Sequence, residues 1–458
     1  MSVSPSANIV LVVGGGIGGL TTALALSRKG IPVRVLEQAA EFKEIGAGIQ
    51  LGPNVFRMFE LLGLTEAIFR WAAFPDALEM RDAMTGETVV EMRIDNLYDR
   101  YRAPYGVIHR ADLLNQIHDA CGASNLIELL PSRKVVSIED NGDNVAVHTD
   151  TGETFKGAAL VGCDGLWSTV RTHIINDGKP VVSGHIAYRA VLPTAQWPQE
   201  YRLPRMIVWA GNKTHLVHYP LRRGELFNLV VVFHSDRYQE GWDSYGDPAE
   251  LYERFAEKCE PVRTLLKKVD SWRMWVLCDR PPIKYWSKGR ITLLGDAAHP
   301  MLQYLAKGAC MAIEDAVCLA DQIAAGGGDY RTAFKRYAEL RYLRTARVQI
   351  MARVYGEVYH ANNVVRELRN EVLREWAAQG GIDMSWLYGD QPELPHVDKV
   401  RHPQTALLCH NLGRYLDARG AIALGQKWSR GRLKTIGQYA AVLDWHGSVC
   451  LCTRLRHS

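Results

Sequence analysis

Residues 8–38, NIVLVVGGGIGGLTTALALSRKGIPVRVLEQ, have the clearest local pattern in the chain. The apolar run ending at Val13 predicts a buried parallel strand, and residues 20–29 have the periodicity of a helix. Between them Gly14, Gly16 and Gly19 have the GxGxxG spacing, which permits a tight turn, close approach of backbone to a pyrophosphate, and close packing of helix on strand. A second strand, PVRVLE, ends at Glu37, where a carboxylate can accept hydrogen bonds from a ribose 2′-hydroxyl. We therefore predict a βαβ unit that binds a dinucleotide.

Two later stretches repeat the pattern of a strand followed by a turn. GCDGLWSTVR (162–171) follows the apolar run AALV, and its Asp164-Gly165 pair is followed by a serine and an arginine at the spacing of a helix start. LLGDAAHPMLQYLAKGACMAIEDA (293–316) begins as an apolar strand, breaks at Gly295-Asp296, and continues after Pro300 with helical spacing. The N-terminus of that helix would favour negative charge near the turn.

Together these three motifs resemble the flavoprotein aromatic hydroxylases, which are single-component FAD monooxygenases. The resemblance implies tightly bound FAD, with the GxGxxG motif at its adenosine end and Asp164 near the pyrophosphate. It places Asp296 on a ribitol hydroxyl and Pro300 against the flavin ring. It also implies that the helix following Pro300 directs its positive end at the N1/C2 edge of the flavin, whose reduced form is anionic, and that Gly308 and Ala309 belong to the cofactor site.

Two shorter stretches extend the resemblance, which runs from about residue 8 to about residue 347. GAGIQLGPN (46–54) resembles the family's loop after the second strand, and HRADLL (109–114) resembles its arginine-bearing helix start. The resemblance thereby adds Gln38, Ala47 and Arg110 to the expected cofactor site, with Arg110 near the flavin phosphates.

The stretch THLVHYPL (214–221) carries the candidate for proton transfer. Side chains alternate along a strand, so His215, Val217 and Tyr219 share one face, and His218 lies on the other. A histidine, with an unperturbed pKa of about 6.5, can take the proton of a phenol and so raise the electron density of its ring. A single histidine on a strand is, without further context, more often a structural residue.

The match is closest to the 3-hydroxybenzoate 6-hydroxylases, with salicylate 1-monooxygenases and other hydroxybenzoate or hydroxynicotinate hydroxylases as alternatives. It implies that His215 is the base and that Tyr219 and Gln303 orient a small aromatic acid. No metal site is predicted, since the CxC of Cys450 and Cys452 has no second ligand pair nearby. In the implied reaction NADH, a transient co-substrate, reduces FAD, and O2 then forms a flavin C4a-hydroperoxide. Attack para to the phenolate would convert 3-hydroxybenzoate into 2,5-dihydroxybenzoate (gentisate).

The chain has one GxGxxG motif, as expected for a family without a separate NAD(P)H domain, and its residues do not distinguish NADH from NADPH; the resemblance favours NADH. It departs from the family at Lys307, where a glutamine is usual. Either this lysine is a tolerated surface change, or it is a cation close to the flavin that alters the flavin's redox properties or its interaction with the substrate carboxylate.

The expected architecture is an α/β fold with a Rossmann-like FAD-binding domain, an antiparallel substrate-binding sheet and C-terminal helices. The FAD-binding domain is assigned to residues 1–72, 100–180 and 285–345, and the substrate-binding domain to residues 73–99 and 181–284. MIVWAG, THLVHYPL and LFNLVVVF supply strands of the second domain. Residues 346–400 are expected to form helices, and residues 401–458 a basic tail of unknown structure.

The composition limits the function classes. The 458 residues are 47% hydrophobic with a net charge of +4, and basic residues are mostly interleaved with acids, so no nucleic-acid surface is predicted. The tail is the exception, with nine Lys/Arg against two acids, and it is either a solvated appendage or a contact for an anionic surface. The sequence contains no uninterrupted apolar run of about 18 residues, so no membrane span is predicted. Nine cysteines without paired spacing, and a start without signal-peptide features, predict a cytoplasmic protein, which we expect to be a homodimer.

The sequence alone leaves open two functions from other classes. A flavin halogenase would carry a Trp-x-Trp-x-Ile-Pro signature, whereas SWRMWVL has Trp272 and Trp275 at a different spacing. A flavin-binding interaction protein without turnover is the other. Reduction of the flavin by NADH with an aromatic acid, followed by reoxidation and product formation, separates an enzyme from such a protein.

Overall fold

A computed structural model describes residues 8–43, 47–237, 244–381 and 383–403. Within these residues the strands, in chain order, are β1 (Val10–Val13), β2 (Val33–Leu36), β3 (Gly48–Leu51), β4 (Ala77–Asp82), β5 (Thr88–Arg93), β6 (Gly106–His109), β7 (Ile127–Leu130), β8 (Val135–Asp140), β9 (Val145–Thr149), β10 (Thr154–Gly157), β11 (Ala159–Gly162), β12 (Val181–Pro193), β13 (Arg205–Gly211), β14 (Thr214–Leu221), β15 (Leu226–His234), β16 (Ser244–Tyr245), β17 (Arg273–Asp279), β18 (Ser287–Lys288) and β19 (Ile291–Leu293).

The helices of the same ranges are α1 (Ile17–Arg28), α2 (Pro53–Leu62), α3 (Thr65–Trp71), α4 (Asp95–Tyr101), α5 (Arg110–Gly122), α6 (Thr169–Ile174), α7 (Pro248–Arg254), α8 (Glu260–Leu266), α9 (Gly308–Ala325), α10 (Tyr330–His360), α11 (Asn363–Ala378) and α12 (Ser385–Tyr388). No helix among the described residues is long and apolar enough to span a bilayer. The predicted basic tail lies, from residue 404 onward, outside the described residues.

A six-stranded sheet forms the first half of the fold, in the order β18-β19-β11-β1-β2-β7. Of its five strand pairings, only that of β18 with β19 is antiparallel. The carboxyl ends of β1, β2, β11 and β19 therefore lie along one edge of the sheet. Ligands of open parallel sheets bind at that edge. The glycine, Asp164 and Asp296 motifs all follow these strands, so the topology gathers them there.

An eight-stranded sheet forms the other half, in the order β16-β17-β12-β15-β14-β13-β4-β5. It is antiparallel except for the pairing of β4 with β13. One face packs on an apolar core that contains Leu216, Phe227, Phe233 and Trp272. The other face borders the cavity described below. This mixed α/β architecture confirms the fold predicted from the sequence; the exact domain boundaries stay a prediction.

An ion pair connects the two halves near the site. Arg222, just after β14, donates from Nε and Nη2 to the two carboxylate oxygens of Asp112 in α5, at 2.7 and 2.8 Å. Such a two-pronged bond fixes orientation as well as distance. It therefore holds the strand that carries His215 against the helix that begins with Arg110.

Candidate active site

A cavity of about 870 Å³ lies between the two halves of the fold. Three groups of predicted site residues line it: the substrate residues His215, Tyr219 and Gln303; the loop residues Asp296, Gly308 and Ala309; and Arg110. The volume is typical of a site for a small organic ligand or the reactive end of a cofactor. Residues separated by up to about two hundred positions in the chain thus line one cavity.

The glycine motif and Glu37 form a second group outside this cavity. Gly14 has a φ of 103°, and a Cβ there would lie 2.4 Å from the carbonyl oxygen of Cys163. A Cβ at Gly19 would lie 1.8 Å from the Gly14 oxygen, so a side chain at this position is excluded. Glu37 accepts hydrogen bonds from the amides of Gly15 and Ala39, at 2.5 and 2.8 Å.

Helix α1 begins directly behind these glycines. Its cap residue, Gly16, supplies no side-chain hydrogen bond to the first turn, and that turn contains no acidic residue. Backbone N–H groups at a helix start need partners, and an anion supplies them. The start of α1 is therefore suited to a pyrophosphate.

Other predicted cofactor residues surround the same edge of the sheet. The Gln38 side chain is exposed, and Ala47 is buried with its carbonyl accepting the amide of Arg110 at 3.0 Å. Asp164 caps α6, accepting from Ser168 Oγ at 2.5 Å and from the Thr169 amide at 2.7 Å. Its contact with a pyrophosphate stays a prediction.

The loop from Gly295 to Pro300 joins β19 to the cavity. Asp296 is exposed, whereas the other residues from 291 to 300 are buried, so this carboxylate faces the open space at the end of the sheet. Pro300 is buried outside the cavity lining, and its carbonyl accepts from Gln349 Nε2 at 2.8 Å. The helix predicted after Pro300 begins later, at Gly308, because a short 3-10 turn (Gln303–Leu305) intervenes.

Buried charges lock this loop in place. His299 Nε2 lies 2.5 Å from Asp315, whose other oxygen accepts from Arg341 at 2.7 Å. Arg341 and Arg344 also bind Glu314, and the pKa of this carboxyl is lowered to about 2, since its attraction to the two arginines outweighs the effect of burial. Buried charges are tolerated when they are paired in this way. The network holds α9, α10 and the Asp296 loop as one unit.

The strand β14 presents His215, Val217 and Tyr219 to the cavity, while Leu216 packs in the apolar core. His215 is 3% exposed, and its Nδ1 lies 2.8 Å from Nε2 of His360. Its other ring nitrogen, Nε2, is therefore the one that remains for a ligand. His218, on the opposite face, is buried, but among the described residues neither of its ring nitrogens has a hydrogen-bond partner.

Tyr219 packs against Gly48, which belongs to the stretch that resembles the family's loop after the second strand. A Cβ on Gly48 would lie 2.5 to 2.9 Å from three atoms of the Tyr219 ring, so glycine is required for this close approach. The Gly48 amide donates to Asn228 Oδ1 on β15 at 2.8 Å. Burial raises the pKa of the Tyr219 hydroxyl well above its ordinary value, so it stays protonated at neutral pH.

Gln303 is oriented by a residue that the sequence did not reveal. Its Oε1 accepts a short hydrogen bond from Arg189 Nη2 on β12, and among the described residues its Nε2 has no partner. Arg189 lies over the ring of Trp275 at 5.0 Å, and burial, together with Arg110, lowers its pKa to about 10. Arg189 still carries a positive charge at neutral pH, so this wall of the cavity suits a carboxylate.

Lys307 is buried, so its interpretation as a tolerated surface change is wrong. It is 2% exposed, lines the cavity, and occupies the N-cap position of α9 without a side-chain hydrogen bond to the helix. Its Nζ lies 4.9 Å from the ring centre of Tyr105 and 5.4 Å from that of Tyr388, and it has no hydrogen-bond partner among the described residues. Burial lowers its pKa. Two aromatic rings thus lie beside the ammonium group at the start of α9, where they can stabilise its positive charge.

These features fit FAD, with the adenosine end at Gly14 to Glu37 and the flavin end in the cavity. The start of α1 offers amides for the pyrophosphate, Asp296 offers an acceptor for a ribitol hydroxyl, and α9 begins without a capping side chain at the cavity wall. The adenosine end and the flavin end of FAD would then both lie along the same edge of the parallel sheet.

Comparison with known proteins agrees. Residues 8–348 match the family model described as an FAD binding domain, and the chain belongs to this family. The resemblance to flavoprotein aromatic hydroxylases, with FAD as cofactor and O2 as co-substrate, is thereby confirmed.

Particular relatives are close along most of the chain. A 3-hydroxybenzoate 6-hydroxylase of Polaromonas naphthalenivorans is 42% identical over 391 residues, which cover 85% of this chain and 98% of the relative. A 3-hydroxybenzoate 6-hydroxylase of Klebsiella oxytoca is 44% identical and covers 83% of this chain and 96% of the relative. In fold, the chain is similar to Klebsiella pneumoniae HpxO complexed with FAD and uric acid, with a TM-score of 0.72 and 24% identity over 81% of this chain and 94% of that one.

Proposed function

We propose that the protein hydroxylates 3-hydroxybenzoate para to its hydroxyl group, giving 2,5-dihydroxybenzoate, with NADH as the reductant. The observation that carries this proposal is that His215, Tyr219 and Gln303 line one cavity together with Asp296 and Gly308, which we expect to lie at the flavin. The identity of 42–44% to relatives named for this reaction supports it. Bound FAD supplies reducing equivalents and activates O2 for insertion into the ring.

The base and the donor are two separate side chains that line the cavity. Nε2 of His215 would accept the proton of the substrate hydroxyl, since Nδ1 is engaged with His360. Nε2 of Gln303, held by Arg189, would donate to the substrate carboxylate. A substrate bound at both points is held in one orientation, which selects the ring carbon that faces the flavin.

The cavity is also suited to excluding water. Apolar and aromatic side chains make up much of its wall, including Val217, Met301, Leu305 and Tyr388. Exclusion of water protects oxygen-transfer chemistry from side reactions that waste the reductant. The wall thus supports a coupled hydroxylation.

The test uses FAD-loaded protein with equal concentrations of 2-, 3- and 4-hydroxybenzoate and of 6-hydroxynicotinate. We expect NADH oxidation to be stimulated most by 3-hydroxybenzoate, with 2,5-dihydroxybenzoate as the product seen by chromatography. Stoichiometric product from another acid, without product from 3-hydroxybenzoate, would establish an alternative hydroxylase of the same family. Faster turnover with NADPH than with NADH would overturn the choice of reductant.

We further propose that the enzyme acts as a cytoplasmic homodimer. Large apolar side chains on α10 and α11 are exposed, including Leu343 (67%), Val364 (74%) and Val365 (61%). Exposed side chains of this size are candidates for an interface between two copies of the protein. Light scattering of the purified protein tests this proposal, and a monomeric mass at micromolar concentration would contradict it.

A further inference from the structure

The cavity continues past the predicted substrate residues toward one edge of the eight-stranded sheet. In the order β12-β15-β14-β13-β4-β5, Arg189 belongs to β12 and His215 to β14, so β13, β4 and β5 lie beyond His215. Each of these three strands also contributes side chains to the cavity wall. At about 4.8 Å between neighbouring strands, this part of the cavity spans roughly 14 Å.

The wall formed by these strands is apolar. Side chains that line the cavity and are paired across the strands form two rows: Val217, Val208, Met80 and Val90 in the first, and Met206, Leu78 and Met92 in the second. We call these seven side chains the apolar lobe. Glu79 also borders the cavity, but its Oε1 already accepts hydrogen bonds from Arg81 and Thr88, at 2.7 Å each.

Helices α10 and α11 lie over the apolar lobe. They contribute further apolar side chains to the same cavity: Val354 and Val358 from α10, and Leu373 and Trp376 from α11. Arg366 and Asn370 of α11 bind the buried carboxylate of Asp82 at the end of β4, so this helix is fixed on the sheet. Trp376 is 47% exposed, and the lobe therefore opens to the solvent beside α11.

The apolar lobe is not packed like the core of the same sheet. Leu78, Met80 and Met92 stay partly exposed, although two helices lie over them. Ile207 and Leu216, on the opposite face, are fully buried in the apolar core. Apolar surface left exposed inside a cavity marks a site for an apolar ligand group. Three of the seven side chains are methionine, which adapts its shape to a ligand.

The proposed function fixes the direction in which a ligand would enter the lobe. It places the substrate hydroxyl at His215 and the carboxylate at Gln303, which Arg189 holds. Arg189 and the apolar lobe lie on opposite sides of His215 in the strand order. The ring carbon farthest from the carboxylate is C4, next to the hydroxyl. A substituent on C4 therefore points away from Arg189 and toward the lobe.

We propose that the apolar lobe binds an alkyl chain on C4 of the substrate, so that the enzyme accepts 3-hydroxybenzoates with an unbranched 4-alkyl group. The inference rests on the proposed function, which supplies the orientation of the ring. The chain leaves C6, the carbon para to the hydroxyl, free for hydroxylation. The product is then the corresponding 4-alkyl-2,5-dihydroxybenzoate.

The experiment compares ligands that differ only in the chain. For FAD-loaded protein, the Kd is measured from the change in flavin absorbance with 3-hydroxybenzoate and with its 4-methyl, 4-butyl and 4-hexyl derivatives. Burial of a methylene strengthens binding about fourfold, and ordering of the chain offsets part of this gain. We therefore expect the Kd to fall roughly two- to fourfold for each added methylene.

A positional isomer controls for general hydrophobicity. The 2-hexyl derivative has the same apolar surface but carries its chain beside the carboxylate, so we expect no gain in affinity over 3-hydroxybenzoate. A Kd that does not fall with the length of the 4-alkyl chain would overturn the inference. An equal gain for the 2-hexyl isomer would do the same, because it would show binding without a defined place for the chain.

Substitutions that fill the lobe give a second test. Met80→Trp places a large ring in the first row, and we expect the ratio of the Kd of 3-hydroxybenzoate to that of the 4-hexyl derivative to fall close to one. Met84→Trp is the matched control, in the turn after β4 and outside the cavity lining, and should keep the wild-type ratio. If Met80→Trp does not retain FAD, Val90→Trp decides, with the same loss expected. A wild-type ratio in the lobe variant that retains FAD would refute the assignment.

Product analysis separates this inference from the proposed function. Affinity that rises with the 4-alkyl chain, together with hydroxylation at a carbon other than C6, would refute the proposed function and leave the lobe standing. Hydroxylation of 3-hydroxybenzoate at C6, without any dependence of affinity on the chain, would leave the proposed function standing and refute the lobe.

Discussion

Replacing His215 by alanine is expected to separate consumption of reductant from hydroxylation. Flavin reduction needs a bound aromatic acid, whereas oxygen transfer also needs the phenol deprotonated. His215→Ala removes the ring that lines the cavity and is bonded to His360. We expect NADH oxidation to stay largely intact, with the oxygen appearing as hydrogen peroxide.

The expected loss of product formation is about 10²-fold, or about 2.7 kcal/mol of activation free energy. This is the lower end of the range for a general base, because the cationic Arg189, which lines the same cavity, still favours an anionic substrate. The substitution also leaves His360 without its partner, which costs roughly 1–3 kcal/mol of unfolding free energy. Activities should therefore be compared well below the unfolding temperature.

The assay records NADH consumed, peroxide and dihydroxybenzoate in the same reaction. His218→Ala is the control, since this ring packs on Trp197 with centres 5.2 Å apart and lies away from the cavity. It has no hydrogen bond to lose among the described contacts, so its cost should come from packing alone. Peroxide from His218→Ala and full coupling in His215→Ala would refute the assignment of the strand faces.

Four further predictions follow from the site. Asp296→Ala should weaken FAD binding roughly 10-fold or more by removing a charged acceptor, measured by titrating apoprotein with FAD. Lys307→Met should lower the flavin midpoint potential, because the reduced anion loses a nearby cation, whereas Lys307→Arg should keep it near the wild-type value in a dye-coupled titration. Glu314→Gln should reduce the unfolding free energy by about 3–5 kcal/mol at pH 7. Because the folded pKa of Glu314 is depressed to about 2, its contribution to wild-type stability should be present above about pH 4.5 and be lost as the pH falls toward 2; the variant should lack this dependence in denaturant titrations. Gly48→Ala should raise the KM for the aromatic acid by displacing Tyr219, whereas Gly122→Ala, where nothing lies within 4 Å, should behave as the wild type in steady-state kinetics.

Short sequence patterns predicted the parts of the molecule whose residues are neighbours in the chain. The GxGxxG turn, its helix and the strand that ends before Glu37 are contiguous in the chain. Hydrophobic periodicity and glycine spacing were therefore enough to predict them. The two faces of THLVHYPL could be predicted because Leu216 packs in an apolar core. The alternation of side chains therefore separates the core face of the strand from its cavity face.

The remaining site residues come from contacts between distant elements. His360 meets His215 across 145 positions, and Arg189 meets Gln303 across 114. Neither contact leaves a periodic signal in the chain. The sequence left Lys307 open between a surface change and a cation near the flavin, because lysine is seldom buried, yet two tyrosine rings accommodate it in the interior.

The order of strands in the six-stranded sheet has a consequence for the protein's synthesis. β1 and β2 leave the ribosome early, but β11 receives its outer neighbour, β19, only when residues Ile291–Leu293 have emerged. At about 5–20 residues per second, the nascent chain carries an open strand edge until roughly 15–60 s after initiation. An unpaired edge of apolar residues such as Leu160 and Val161 invites pairing with other chains. Yield of soluble protein should therefore depend on chaperone supply and growth temperature more than the stability of the finished fold would suggest.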